Sequence, residues 1–406
     1  MTPAQLWWRL VPAYASGYFL SYALRNVNAV IAPELSAHFA LSDAQLGLLT
    51  SAYFLGFGLF QLPLGVLLDR FGPRRVEQVL LLVAAAGCVL FASAQQWQQL
   101  LLARAAIGLG VSACLMASFK AFAQWFDVER LPALNATIMV AGGLGALTAS
   151  APVAWLLPLV GWRGVFWVFA LMLAISAAVL SRAPQGHLPP PTPWATQVRH
   201  LIAIYRSPVF WRYAPQGMVI AGGMMAVQGL WLVPWLMGVE GLSRDEAAQI
   251  ASYTALAMLC GHSFIASAST RLARHGWPPM RLLRVGIALA LVGELGLWTQ
   301  TLPPALAWVA FGLFFASTNV AYSQLSRAFD TAWSGRVNTA LNLVVFMGAF
   351  GLQWGLGGLS QWWQSQGAAS EQALIYSLAA LWALQCLAYG WFVRPERSGG
   401  APHGAG

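Results

Sequence analysis

Charge is what this sequence has least of. Asp, Glu, Lys and Arg make up 9% of its 406 residues, while hydrophobic types make up 58%. A water-facing surface needs roughly a quarter of its residues charged, so a soluble protein of two or three domains, the ordinary reading of this length, is excluded. Cysteine is scarce as well. Cys88, Cys114, Cys260 and Cys386 each lie inside an apolar run, and no Cys-x-x-Cys pair occurs, which argues against a metal site and against a disulfide framework. No nucleophile, metal-ligand cluster or phosphate loop suggests an enzyme or a cofactor. A cleavable signal is missing too: the first apolar run, from about Leu10, is too long and has no small-residue cleavage site.

What is abundant is apolar length. A membrane-spanning helix needs about 20 mostly apolar residues, and the pattern predicts twelve of them. The first six run from Leu10 to Ala32, Gln45 to Leu68, Val76 to Ala94, Gln98 to Phe122, Leu131 to Leu157 and Gly164 to Leu180. The other six run from Val209 to Leu236, Ala247 to Thr270, Leu282 to Thr299, Pro303 to Ser326, Arg336 to Trp362 and Glu371 to Val393. Between them, PPPTP is a stiff extended linker, and WATQVRHLIAIYR is a short amphipathic segment on the membrane surface. The expected organisation is an N-terminal six-helix bundle (1–181), a cytoplasmic linker (182–207), and a C-terminal six-helix bundle with a short tail (208–406). The fold class is an all-α membrane protein.

The 22 basic residues outnumber the 13 acidic ones, and their positions explain the excess. With both termini in the cytoplasm, the cytoplasmic segments hold Arg9, Arg70, Arg74, Arg75, Lys120, Arg130, Arg182, Arg199, Arg206, Arg212, Arg271, Arg274, Arg281, Arg284, Arg327, Arg336, Arg394 and Arg397. External loops hold only Arg163 and Arg244, and Arg25 and Arg104 fall inside spans. Basic residues collect on the cytoplasmic side of membrane proteins. The balance is therefore topological, places the chain in the inner (cytoplasmic) membrane, and excludes nucleic acid as a partner.

The halves repeat weakly. Ala133-Leu134-Asn135 is matched by Ala340-Leu341-Asn342, and Leu41-Ser42 by Leu242-Ser243. Ser42 with Gln45 and Ser243 with Glu246 form capping boxes that start helices. Repeats in the same order, at nearly constant offset, favour two related bundles.

Between spans 2 and 3 the sequence reads GVLLDRFGPRR. This resembles the major facilitator superfamily signature G-x-L-x-D-R-x-G-R-R, matched here by Gly65, Leu67, Asp69, Arg70, Gly72, Arg74 and Arg75. A loop that is basic for topological reasons alone is the alternative. The resemblance implies the major facilitator fold and a conformational latch formed by Gly65, Asp69, Arg70, Gly72, Arg74 and Arg75. The corresponding loop of the second half keeps Arg274 and Gly276 but has Ala273 in place of the acid. Arg104-x-x-x-Gly108-x-Gly110 and Gly161-Trp162-Arg163 also resemble family motifs. The Gly-Pro pattern of drug antiporters is incomplete. YALRNVNAVIAPELS, in span 1, is similar to the first helix of organic anion and organophosphate transporters; Leu24 before the Arg, and the lack of an acid in span 4, depart from their coupling scheme.

The resemblance further implies that spans 1, 4, 7 and 10 line a central cavity. In span 1, Tyr14, Tyr18, Ser21, Arg25 and Asn28 share one helical face. An isolated Arg in lipid costs about 2.5–3.5 kcal/mol, so this stripe should face water; structural pairing or snorkelling of Arg25 is the alternative. Arg104 lies about 9 Å from the external end of its span and Arg25 about 10 Å from that of its own, so the two form a candidate anion clamp, with a structural role for Arg104 as the alternative. Gln216 and Gln228, with Met224, Trp231 and Trp235, share a face of span 7; Asn319 and Tyr322 share one of span 10, and Asn338 and Asn342 one of span 11. The candidate substrate-binding set is Tyr18, Ser21, Arg25, Asn28, Arg104, Gln216, Gln228, Asn319, Tyr322 and Asn342. His262 and Glu294 are the candidates for carrying a coupling proton.

The expected function is secondary active transport of a small organic anion by alternating access, by a monomer whose partners are its small-molecule substrate, a coupling proton or other ion, and the lipid bilayer. Efflux of a hydrophobic or cationic compound is the alternative, and a non-transporting sensor or assembly protein on the same fold is a third.

Overall fold

The computed structural model describes residues 3–127, 130–186, 194–330 and 333–394; the PPPTP linker, Arg397 and the side chain of Arg271 lie outside the described parts. Every regular element among the described residues is helical. The first half comprises α1 (Pro3–Phe39), α2 (Asp43–Phe71), α3 (Pro73–Ser93), α4 (Trp97–Gly110), α5 (Cys114–Trp125), α6 (Leu131–Thr148) and α7 (Ala151–Leu180). Then comes α8 (Trp194–Arg206). A continuous 31-residue helical stretch follows, in which α9 (Pro208–Pro215), α10 (Gly222–Ala226) and α11 (Leu232–Gly238) are joined by two π-helical segments, Gln216–Ala221 and Val227–Trp231. The rest is α12 (Arg244–Arg274), α13 (Pro279–Trp298), α14 (Pro304–Phe315), a 3-10 turn (Ala316–Asn319), α15 (Val320–Ser326), α16 (Ser334–Ser365) and α17 (Ser370–Val393).

Among the described residues, eight helical stretches are long and apolar enough to cross a membrane. α1, α12 and α13 have the length, at 37, 31 and 20 residues, but carry polar or charged side chains along it. Polar side chains on a spanning helix face other helices, an internal cavity or the helix ends instead of lipid.

Local chemistry explains most helix ends. Ser42 caps α2 in a reciprocal box with Gln45. Ser243 and Glu246 make the equivalent contacts at α12, and the Ser243 hydroxyl and N–H hold the Glu246 carboxyl below its usual range. At Gly72, between α2 and α3, φ is +81°, a conformation that only glycine adopts without strain. The first expected span, Leu10 to Ala32, is extended at both ends in α1, and the fifth and sixth differ in their limits. The expected helix from Leu131 to Leu157 stops at Thr148, because a new helix starts at Ala151 with Pro152 in its first turn, where a missing N–H costs nothing. That helix then runs on to Leu180 through a break at Gly161, so Trp162 and Arg163 open its second part instead of lying in a loop. The expected helix from Gln98 to Phe122 is interrupted by a turn at residues 111–113.

Buried apolar side chains form two clusters. One is built almost entirely from residues 10–183 and the other mainly from 204–392. Across the boundary, α2 lies along α16, α6 along α12, and α1 along the second π segment. Within the first half, a Cβ on Gly108 would fall 2.0 Å from the Tyr53 carbonyl oxygen and one on Gly56 2.1 Å from that of Ala105. The backbones of α2 and α4 therefore touch, the close packing that small residues allow in a membrane.

Candidate functional site

A cavity of about 280 Å³ lies between the two clusters. Its N-terminal wall is made by Tyr18, Tyr22 and Arg25 of α1, Phe57 and Gln61 of α2, Ser112, Leu115, Met116 and Phe119 at and after the break before α5, and Met139 of α6. Its C-terminal wall is made by Met225, Asn319, Tyr322, Asn338, Asn342 and Phe346. A side chamber of about 40 Å³ shares Tyr22, Arg25, Met225, Asn319 and Tyr322 and adds Met224, Gln228, Met258 and His262. Among the described residues, no Asp or Glu lines either chamber.

Arg25 sits where the two chambers meet. It is 6% exposed, and among the described residues it makes no ion pair. Three rings surround its guanidinium instead, with centroids at 4.3 Å (Tyr22), 5.2 Å (Phe346) and 5.5 Å (Phe57). Phe57 and Phe346 stack at 4.1 Å across the two halves. Aromatic faces attract a cation but do not neutralise it, so the buried charge is left without a counter-ion.

The sequence-derived candidates separate in space. Tyr18, Arg25, Asn319, Tyr322 and Asn342 line the main cavity, and Gln228 and His262 line the side chamber. Tyr322 donates to Asn342 Oδ1 at 3.0 Å, Ser326 to Asn338 Oδ1 at 2.7 Å, and Asn319 Nδ2 lies 2.7 Å from His262 Nε2. Ser21, Asn28, Arg104 and Gln216 do not reach the cavity. Ser21 pairs with Tyr53, whose hydroxyl donates to the Ser21 carbonyl, and Asn28 donates to Thr50. Arg104 is fully buried, donates from Nη1 to the Leu24 carbonyl at 2.8 Å and lies over the Tyr53 ring. Both arginines lie against Tyr53, but of the two Arg25 lines the cavity and Arg104 does not. Gln216 is buried without a hydrogen-bond partner. Glu294 is buried in α13, away from both chambers.

Tyr22, Phe57, Gln61, Met116, Phe119, Met139 and Phe346 also line the cavity and are not among the candidates drawn from the sequence. Tyr22 stands four residues after Tyr18 on the polar stripe and was legible there. The apolar lining residues carry no signal, since a Met or Phe on a cavity wall looks like one in the core. Glu77 was also missed: it lies near the start of α3, fully buried over Gly17 and beside Cys114, and neither carboxyl oxygen has a hydrogen-bond partner.

The polar contacts of the signature loop stay within the first half and the start of the linker. Asp69 pairs with Lys120 of α5. Arg74 donates to the carbonyls of Ser181 and Ala183 and to Gln185 beyond α7, Arg70 lies over Phe71, and Arg75 is exposed. Gly65 borders a gap of about 30 Å³ shared with Leu201, Tyr205 and Arg336. At the opposite end of the bundle the halves are tied together. Glu34 of α1 pairs with Arg244, and Asp43 accepts hydrogen bonds from Ser360 at 2.7 Å and Gln364 at 2.8 Å on α16. The Ala151 N–H donates to Ser252 of α12 at 3.2 Å.

A family model described as Major Facilitator Superfamily matches residues 14–352. The hexuronate transporter of Escherichia coli (strain K12) is 27% identical over 159 residues, which is 39% of this chain and 37% of that protein. The galacturonate transporter of Dickeya chrysanthemi is 26% identical over 161 residues, 40% of this chain and 47% of that protein. These matches therefore span less than half the length of either relative. Among solved structures, the D-xylose–proton symporter superposes with a TM-score of 0.78 at 15% identity, covering 96% of this chain and 98% of the other.

Proposed function

The chain belongs to the Major Facilitator Superfamily and is a multi-pass membrane transporter, not an enzyme; from that premise we propose that it moves a small organic anion across the cytoplasmic membrane by alternating access, with Arg25 as the anion's principal contact. The observation that carries this is a buried guanidinium, hydrogen-bonded to Tyr53 but with no carboxylate partner among the described residues, facing a chamber that no described carboxylate lines. Burying a charge without a partner is costly, and an anionic substrate supplies the missing one. The same charge repels a cation, which weighs against efflux of cationic compounds. The relatives named for hexuronate and galacturonate support an anionic class.

Twelve spans in two six-helix bundles, joined by 182–207 and with both termini in the cytoplasm, are the arrangement that suits this mechanism. The cavity descends past Phe119 and Asn338 toward the end bearing Lys120 and Arg336, the cytoplasmic end by its basic residues. With the opposite end tied by Glu34–Arg244 and the Asp43 bonds, the conformation is inward-facing. The Gly65–Arg75 loop then acts as the latch of the other state, engaging the second half when the cytoplasmic end closes. His262 is the better candidate for a coupling proton, because it adjoins Asn319 in the side chamber while Glu294 does not reach it.

Uptake into vesicles across a panel of carboxylates, phosphates and cationic drugs tests this reading. A carboxylate or other organic anion should accumulate in wild-type vesicles and fail to do so with Arg25→Ala at equal membrane expression. Accumulation of a cationic drug, undiminished by that substitution, would refute it.

A further inference from the structure

The wall chemistry of the cavity narrows the class of anion, on the reading that Arg25 binds one. We infer that the substrate is an amphipathic monocarboxylate with an apolar body about the size of an aromatic ring, and that polyhydroxylated sugar acids are poor ligands of this site.

Three features carry the inference. First, Arg25 is the one charged residue lining the main cavity among the described residues; Arg104 is engaged with the Leu24 carbonyl, so a single negative charge is matched and a second is not. Second, Leu115, Met116, Phe119 and Met139 form a continuous apolar wall on α5 and α6, and Phe57 and Phe346 extend it to the guanidinium. A flat ring bearing a carboxylate stacks among such faces, and methionine adapts its shape to the edge of a ring. Third, the polar wall offers donors to a carboxylate. The side-chain oxygens of Asn338 and Asn342 each accept one hydrogen bond, from Ser326 and Tyr322, which leaves their NH2 groups for a ligand, and the Gln61 side-chain oxygen is the unpartnered acceptor beside them. Donors suit carboxylate oxygens. The several hydroxyls of a sugar acid also need acceptors, and against a Met and Phe wall they lose bonds to water without replacement.

The test is equilibrium binding to the purified full-length chain in detergent, with benzoate, phenylacetate, galacturonate and tetraphenylphosphonium as probes. Benzoate or phenylacetate should bind at least about 10-fold more tightly than galacturonate. Met116→Gln and Met139→Gln, each checked for folding by its unfolding temperature without ligand, should shrink that ratio toward one. Galacturonate binding as tightly as the aryl carboxylates overturns the inference and leaves the anion reading standing, and so does a ratio that neither variant changes. Binding of tetraphenylphosphonium with no binding of any carboxylate overturns both. Binding of no probe at all also overturns the inference.

Discussion

Arg25 is held by rings, and that sets what its replacement should do. Lysine keeps the charge but loses the flat fork that stacks on Tyr22, Phe57 and Phe346 while pairing with a carboxylate. Arg25→Lys should weaken anion affinity by about 0.5–2 kcal/mol, and Arg25→Ala by about 2–5 kcal/mol, as measured by Kd in detergent. Arg104 should behave in the opposite way. Its bond to the Leu24 carbonyl ties α4 to α1, so Arg104→Ala should lower unfolding stability by about 1.5–3 kcal/mol while affinity stays at its wild-type value. The sequence does not distinguish these two arginines. Both sit inside apolar helices, and what separates them is the surface each faces, the cavity for Arg25 and the α1 backbone for Arg104. That facing was readable in α1, where Tyr18 and Tyr22 mark the same stripe, but in α4 no polar neighbour marks a face.

At the scale of elements, α8 is fastened to α16 by a contact that acid should break. His200 stacks on Trp333 at 4.3 Å, and its Nδ1 accepts a hydrogen bond from Arg336 at 2.9 Å. Partial burial, with Arg336 and Arg199 nearby, lowers the His200 pKa from its ordinary 6.5. The neutral ring is the docked form, since only a neutral nitrogen accepts that bond. A depressed pKa leaves docking intact above the free value and weakens it as pH falls below about 6.5. Amide hydrogen exchange across residues 198–206 should therefore quicken between about pH 7 and pH 5 relative to α16, and His200→Gln should remove most of that pH dependence. An unchanged profile in the variant would mean that α8 is held by other contacts, such as Tyr205 to the Ala340 carbonyl. The amphipathic character of α8 was visible in its residues, as were the capping boxes of α2 and α12, because caps and amphipathic faces are local. The breaks at residues 111–113 and at Gly161 were not, since an apolar run continues across both.

For the molecule as a whole, the far end of the bundle is shut by bonds between the halves, from Glu34 to Arg244 and from Asp43 to Ser360 and Gln364. Each bond to a charged group contributes about 1.5–3 kcal/mol, enough to change the ratio of two conformers by about 10-fold or more. Asp43→Ala with Glu34→Gln should thus raise the population open at that end, seen as a longer distance between spin labels at Leu41 and Gln366. An unaltered distance distribution would show that apolar packing of α2 on α16 holds the end by itself. The two π segments between Gln216 and Trp231 bear on the same transition. Each closes its backbone hydrogen bonds over one more residue than its flanks do, a stored surplus like slack wound onto a spool. Letting one such surplus travel along the rod would turn the stretch it crosses by about 100°. Met224 and Gln228 would then trade places with residues facing the core, and the chamber would be relined with no hinge, no unfolding and no change in the rod's length.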